Sequence, residues 1–566
     1  MLEDLLNADL TRRQFLRSTA RTAALALPMA PLLAACGSAG SSPTGGSTPT
    51  TFRIGQVSAV DSLNPFVSQN SAYGYLPIFP YLMKQFSPTS PIQGDLAKTW
   101  SKSTDGTRYT FQLHSGGKWS DGVPLTATDV AFTLNLLVRY PIVTGLLGSF
   151  IHGLQNASAV DATTLVVDFD RPIANALEGF VGLPILPAHV WSPHAVGKGT
   201  DLQTFQVTAG GVFGGPFKVV RYEQQQLLLT TTNPGWYGKK PKVKTLGLVT
   251  YQSDGGAIQA LKEGQLDSVS ASIGDIPIGF SQLSSSDYTV PYEPGLFYAY
   301  IAFNTNPTKP HHRELLDPRV RAALAHATDR AQMVSNVYFG HAQAAAAALP
   351  PALGQQWQNG DIEPESFDTA LANSMLDRLG YTRGTNGVRV AHGTAMQYKV
   401  NIATTVPSYQ QLFNVLARGW SEVGVQLTAV PLDSAAEFSA VTAPNGEYLE
   451  SDLDIWYYIS TFDPSPWLAI WTKSQIGNLS DTHYINSEYE KLFDEQLHET
   501  DDNKRAAIVK EMQAILFRDK PTIIFAYVNA SGSVTNGWSK SLKLSSFNGF
   551  FPRTSCDWAT NLRWRA

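Results

Sequence analysis

Cysteine is nearly absent from this chain, with only Cys36 and Cys556 among 566 residues. With Cys36 committed to the export role its surroundings indicate, neither an intrachain disulfide nor a thiolate metal cluster can form. Cys556, beside Asp557 and Trp558, then reads as a buried structural thiol. Charge of one sign is also scarce: 42 Lys and Arg stand against 47 Asp and Glu, a net charge of −5, and nothing points to nucleic acid. The apolar run from Thr22 to Ala35 is too short for a bilayer, which takes about 20 residues, and no second long apolar segment follows. Catalytic motifs are missing too. There is no Gly-x-Ser-x-Gly elbow, no His-Glu-x-x-His and no phosphate-cradling Gly-x-x-x-x-Gly-Lys-Ser/Thr loop. The paired His311 and His312 sit in a Pro-rich loop without metal-ligand spacing, so solvent exposure is expected of them. No enzyme and no cofactor are expected.

What is present begins at the N-terminus. Thr11-Arg12-Arg13-Gln14-Phe15-Leu16-Arg17 precedes the short apolar run, and Leu33-Ala34-Ala35-Cys36-Gly37 closes it. Paired arginines ahead of Phe-Leu, a short apolar core and small residues before a cysteine resemble a twin-arginine signal peptide (1–35) ending in a lipobox. Cys36 would become the acylated first residue, holding the protein to a membrane face without spanning it. Residues 36–51, mostly Gly, Ser, Thr, Ala and Pro, cannot bury enough apolar surface to fold and read as a flexible tether. The remaining chain exceeds what one core supports, so at least two lobes are expected.

Periodicity alternates between strand and helix. Phe52–Val57 reads as a strand and Asp61–Phe66 as a polar loop; Tyr109–His114 and Leu165–Phe169 are further strands. Between the last two, Thr126 and Asp129 have capping-box spacing. Leu246–Val249, a helix from Ser253-Asp254 to Gly264, and Leu266–Val269 suggest a βαβ unit. Another is clearer: Tyr398, Val400 and Ile402 alternate, then Tyr409, Leu412, Phe413, Leu416, Trp420 and Val423 recur at helical spacing, Gly424 can end the helix, and Val425–Leu427 resumes extended. Asp317-Pro318 opens further helices that run through Val320, Leu324, Ala327, Val334 and Val337.

Several ordered motifs carry a specific resemblance. Asp95–Trp100, then Gly117-Lys118-Trp119-Ser120-Asp121-Gly122-Val123-Pro124-Leu125-Thr126-Ala127-Thr128-Asp129-Val130, is similar to the signature of extracellular solute-binding proteins of family 5, the peptide- and nickel-type binding components of ABC importers. Gly214–Phe217, Tyr300–Asn304, Asp317–Arg321, Leu379–Tyr381 and Asp519–Pro521 extend it over nearly all of the chain after the tether. The resemblance implies an α/β, two-lobed periplasmic-binding-protein-like fold of type II in its large cluster C form. Lobe I would take 52–86, 210–300 and 529–566, an inserted subdomain 87–209, and lobe II 301–528. Hinge strands would be Ala302–Thr305 and Ala526–Asn529. It also implies a monomer outside the cytoplasm, lipid-anchored through Cys36, with a permease and an ATPase as partners. A lipoprotein that senses its ligand instead of delivering it would need the same closing cleft.

For ligand contacts, the aromatic stretch Asp454–Pro464 is the strongest candidate, because aromatic rings give broad contact with few rotatable bonds. Trp456, Tyr458, Ser460, Phe462 and Asp463 are the expected contacts there, with Tyr75 after the first strand and Asn304 at the hinge. Asn64 and Asp254 read as turn and cap residues, and Trp119–Gly122 as a tight turn. In the family's peptide binders an aspartate in this segment pairs with the ligand's amino terminus, and registration on Asp463-Pro464 puts Ser460 there. A serine cannot neutralise an ammonium in a dry cleft. Either Asp463 takes over, or the cargo lacks a free amine, as would a blocked peptide, a glycoside or a metal chelate.

Overall fold

Three β-sheets organise the computed structural model, which describes residues 49–57, 59–68, 77–141, 147, 151–271, 275–404, 406–441, 451–459, 461–539, 542 and 560–562. The expected signal peptide, Cys36, most of the tether and Cys556 lie outside these residues.

The first sheet runs, in spatial order, Tyr288–Thr289, Ala530–Thr535, Ser268–Ser270, Thr51–Gln56, Thr245–Thr250, Leu227–Thr232 and Phe217–Glu223, with Tyr292–Glu293 also pairing to Ala530–Thr535. Thr51–Gln56 is central and parallel to both neighbours. Phe52 and Ile54 are accordingly buried. On the same strand a β-carbon at Gly55 would lie 2.4 Å from the Leu266 side chain. The expected βαβ unit is here: helix Asp254–Lys262 carries the chain from Thr245–Thr250 over the central strand to Ser268–Ser270. Ser253, one residue before Asp254, caps that helix by accepting from the Gly256 N–H at 3.2 Å.

The second sheet runs Ala342–Ala344, Thr522–Val528, Tyr298–Phe303, Leu453–Tyr458, Gln397–Ala403 and Gln426–Leu432. Its parallel pair, Gln397–Ala403 with Gln426–Leu432, is joined by helix Pro407–Glu422 as the spacing predicts. Pro407 opens that helix, where a missing N–H costs nothing, and Gly424 follows it at φ 81°. The helix buries Tyr409, Leu412, Leu416 and Trp420 completely, each worth about 1.5–3 kcal/mol. Trp420 Nε1–H also donates to Thr328 Oγ1 at 3.1 Å.

The third sheet is antiparallel, Ala97–Lys102, Arg108–Leu113, Thr164–Phe169 and Leu154–Ala159. Helix Ala127–Arg139 covers it, with the Asp129 carboxylate accepting from the Thr126 N–H at 2.9 Å. In the Trp119–Gly122 turn, Gly122 takes φ 92° and Asp121 accepts from the Val123 N–H.

The helices expected from Asp317-Pro318 onward are separate elements: Pro318–His326 ends, and Asp329 caps a new start by accepting from the Gln332 N–H at 2.9 Å. One expectation needs correction: the chain passes between the first and second sheets at 294–297 and at 529, not at Ala302–Thr305, which lies at the far end of its strand. At the passage the two crossings touch. Val528 N–H donates to Phe297 O at 3.1 Å, and a β-carbon on Gly295 would sit 2.1 Å from Val528 O. Only glycine fits there.

Candidate ligand-binding site

Open α/β sheets receive ligands beyond the carboxyl ends of their strands. In the second sheet that end is marked by a change in exposure along one strand. Leu453, Asp454 and Ile455 are buried, whereas Trp456, Tyr457, Tyr458 and Ile459 are half-buried. Paired against them, Tyr298–Phe303 is buried throughout. The strand therefore leaves the core as an aromatic rim, next to the place where the chain crosses between sheets.

The rim is held in position by ring contacts. Tyr457 stacks on Phe297 at 5.2 Å, and Tyr458 meets Tyr298 at 6.1 Å and Trp467 edge-on at 5.6 Å. Tyr458 Oη–H donates to Pro466 O at 2.8 Å. Tyr409 lies 6.5 Å from both Trp456 and Tyr457. Trp456 pairs with Tyr300 through its backbone, while among the described residues its indole N–H makes no hydrogen bond.

Beneath the rim lies an acidic layer. Burial pushes the Asp454 carboxyl well up, and neighbouring Glu437 adds to the effect. Burial likewise pushes Glu437 up to about 8. Asp481, which accepts from Tyr300 Oη at 2.6 Å, is pushed up to about 6 by burial. Buried carboxyls of this kind hold their protons more tightly than exposed ones.

The expected site residues divide. Trp456 and Tyr458 stand together on the rim; Tyr75 and Ser460 lie outside the described residues. Phe462 is instead buried in a core with Tyr298, Trp467 and Trp471. Asn304 sits at the opposite end of the sheet, its Nδ2 donating to Ser451 O at 2.7 Å and its Oδ1 accepting from the Asn306 N–H. Asn64 is a turn residue, accepting from the Phe66 N–H and donating to Leu202 O. His311 is exposed, but His312 is half-buried, 3.2 Å from Glu314 and edge-on to Tyr398. Among the described residues no group of His, Cys, Asp or Glu could hold a metal ion.

Asp463 departs furthest from the ligand-contact expectation. It is 3% exposed. Arg505 donates to it twice, at 2.7 and 2.8 Å, and the Ser465 N–H donates at 2.8 Å to cap helix Pro464–Ala469. Burial would raise this carboxyl, but the Arg505 guanidinium outweighs it and holds Asp463 below the usual carboxylate range. Asp463 is thus committed to Arg505 and to the helix start, and is not free to pair with a ligand's ammonium.

The same aspartate also accepts from Asn175 Nδ2 at 3.1 Å, in the loop that follows the third sheet. More bonds join that loop to the helices of the second sheet: Arg171 to Asp494 at 2.7 Å, Ala174 N–H to Leu497 O at 2.8 Å, and His498 Nδ1 to Pro172 O at 2.9 Å. Burial, then the nearby Asp463 charge, pushes Glu178 in this seam up to about 7. Sequence reasoning missed this use of Asp463 because Arg505 and Asn175 are 42 and 288 residues away.

Comparison with known proteins identifies the family and the fold. The model of the bacterial extracellular solute-binding proteins, family 5, matches residues 91–478. The chain belongs to that family. Members bind solutes outside the cytoplasm and are not enzymes. Proteins of Brucella ovis and Brucella abortus are 25% identical over 335 residues, 59% of this chain, and the match spans 60% of their length. The oligopeptide-binding protein OppA of Bacillus subtilis is 23% identical over 522 residues, 87% of this chain and 90% of its own. Among solved structures, the oligopeptide-binding protein AppA of Bacillus subtilis with a nonapeptide has a TM-score of 0.78 at 18% identity, covering 92% of this chain and all of that one. NikZ of Campylobacter jejuni with Ni(L-His) reaches 0.76 at 19% identity, covering 91% and 99%. This family-5 chain therefore has the two-lobed periplasmic-binding-protein fold. No helix among the described residues is long and apolar enough to cross a membrane.

Proposed function

We propose that this family-5 chain is the membrane-anchored solute-binding component of an ABC importer, closing two lobes on a peptide or peptide-like molecule and delivering it to a permease driven by an ATPase. The first sheet would be the core of lobe I (52–86, 210–300, 529–566), the third that of the inserted subdomain (87–209), and the second that of lobe II (301–528). The anchor would be an acylated Cys36. One observation carries the reading: the strand Leu453–Tyr458 turns from buried to half-exposed aromatic at its carboxyl end, beside the paired crossings at Gly295 and Val528. Closure about such a hinge converts binding into a shape a permease can distinguish.

Trp456 and Tyr458 would contact cargo through their rings, with Ser460 and Tyr75 as polar partners. The burial and pairing of Asp463 favour a second reading of the cargo, as a molecule without a free amine: a blocked peptide, a glycoside or a metal chelate. Native mass spectrometry of the gently purified full chain, with denaturing analysis of what it releases, separates the two. Peptides with free amino termini would support the first reading, a single mass without an amine the second. Failure to bind peptides, glycosides or nickel–histidine in a thermal-shift screen would sink both.

A further inference from the structure

The loop joining Leu227–Thr232 to Thr245–Thr250 holds Lys239, Lys240, Lys242 and Lys244, all exposed, in a stretch without Asp or Glu between Glu223 and Asp254. Exposed Lys118 joins them, since its N–H donates to Gly235 O at 2.8 Å. Among the described residues none of the five lysines makes an ion pair, and Lys239 reaches only the Asn561 side chain. In a chain of net charge −5 this is a concentrated positive patch.

The patch stands on a rigid base. Asn233 Nδ2 donates to Phe213 O and Gly215 O, Trp236 is 9% exposed with its Nε1–H on Lys239 O, and Val243 is buried. The lysines are thus presented together without an ordering cost at binding.

A second, independent observation concerns where the chain enters the fold. Thr50 O accepts from both the Lys244 and Thr245 N–H groups, at 2.7 and 3.1 Å, so the chain reaches the first strand at the edge of the patch. Fourteen residues, Gly37–Thr50, separate that entry point from Cys36, a length that reaches at most about 50 Å. A molecule held through Cys36 is therefore held by this side. Charge attraction to an anionic surface acts within about 8 Å at physiological salt, which a tether of that length permits.

We propose that the Lys239–Lys244 loop, with Lys118 beside it, rests on the anionic headgroups of the bilayer to which the chain is tethered, orienting the two lobes above the membrane. The proposal rests on the anchoring reading given above. Each lysine near an anionic leaflet strengthens partition by roughly fivefold.

The test uses the full chain carrying Cys36→Ser, which cannot be acylated, sedimented with vesicles of phosphatidylcholine alone or with 30% phosphatidylglycerol. The expected result is binding to the anionic vesicles at 50 mM salt, loss of most of it at 300 mM, and at least tenfold weaker binding for Lys240→Glu/Lys242→Glu/Lys244→Glu. Wild-type melting temperature in that triple variant excludes misfolding. Equal binding to both vesicle types, equal binding by the triple variant, or no binding at 50 mM overturns the proposal. Attachment through the apolar N-terminal segment would give the second of these. Acylation of the wild-type chain is read separately from its mass, so failure of the anchor and failure of the patch are distinguishable.

Discussion

Removing the charge of Asp463 should damage the fold before it damages recognition. The carboxylate accepts two bonds from Arg505, one from the Ser465 N–H and one from Asn175, and both ionic side chains are under 5% exposed. Arg505→Met leaves a dry, unpaired carboxylate, and Asp463→Asn leaves an unpaired guanidinium; breaking such a pair from one side costs about 3–5 kcal/mol. Removing both charges in Asp463→Asn/Arg505→Met should cost less than the sum of the single changes, with a coupling of about 1–3 kcal/mol. Urea denaturation followed by circular dichroism and tryptophan fluorescence gives these values. If Asp463→Asn unfolds at the wild-type urea concentration yet no longer binds cargo, the carboxylate belongs to the ligand and this reasoning fails.

Other expectations follow from the same geometry. Gly295→Ala forces a methyl to within 2.1 Å of a backbone oxygen at the crossing; it should destabilise by about 1–3 kcal/mol or more in the same urea assay, and a wild-type midpoint would mean the crossing is loose. Trp456→Ala should weaken cargo binding by at least about tenfold with an unchanged melting temperature, and calorimetry with the released molecule decides it. Glu437 and Asp454 hold a proton more tightly when folded than when unfolded. Their contribution to stability is therefore complete below the unfolded carboxyl range and is lost as pH rises through about 8. Glu437→Gln should flatten the fall in urea midpoint between pH 5.5 and 8.5, and an unaltered slope would remove this acid from the explanation.

What was legible in the sequence was what local pattern determines. The Gln397–Leu432 crossover was readable because helical and strand periods are written in Tyr398, Leu412, Trp420 and Gly424 themselves. The capping of Thr126 and the turn at Asn64 are equally short-range. The aromatic rim was visible as composition, yet which members face outward was not: Trp456 and Phe462 look alike in sequence and differ only in what packs on them. Asp463 misled because its partners, Arg505 and Asn175, meet it only through the tertiary fold. The crossing at Gly295 was hidden for the same reason, since its need for glycine comes from Val528, more than 230 residues away.

The claim that two lobes close on cargo at the aromatic rim is tested most directly by small-angle X-ray scattering of the full chain, stripped of bound molecules by mild denaturation, refolded, and reloaded with the molecule identified by mass spectrometry. Closure predicts an expanded stripped form and a smaller radius of gyration on reloading, with Trp456→Ala needing more of the molecule to reach it. Binding that leaves the radius unchanged would contradict a closing cleft.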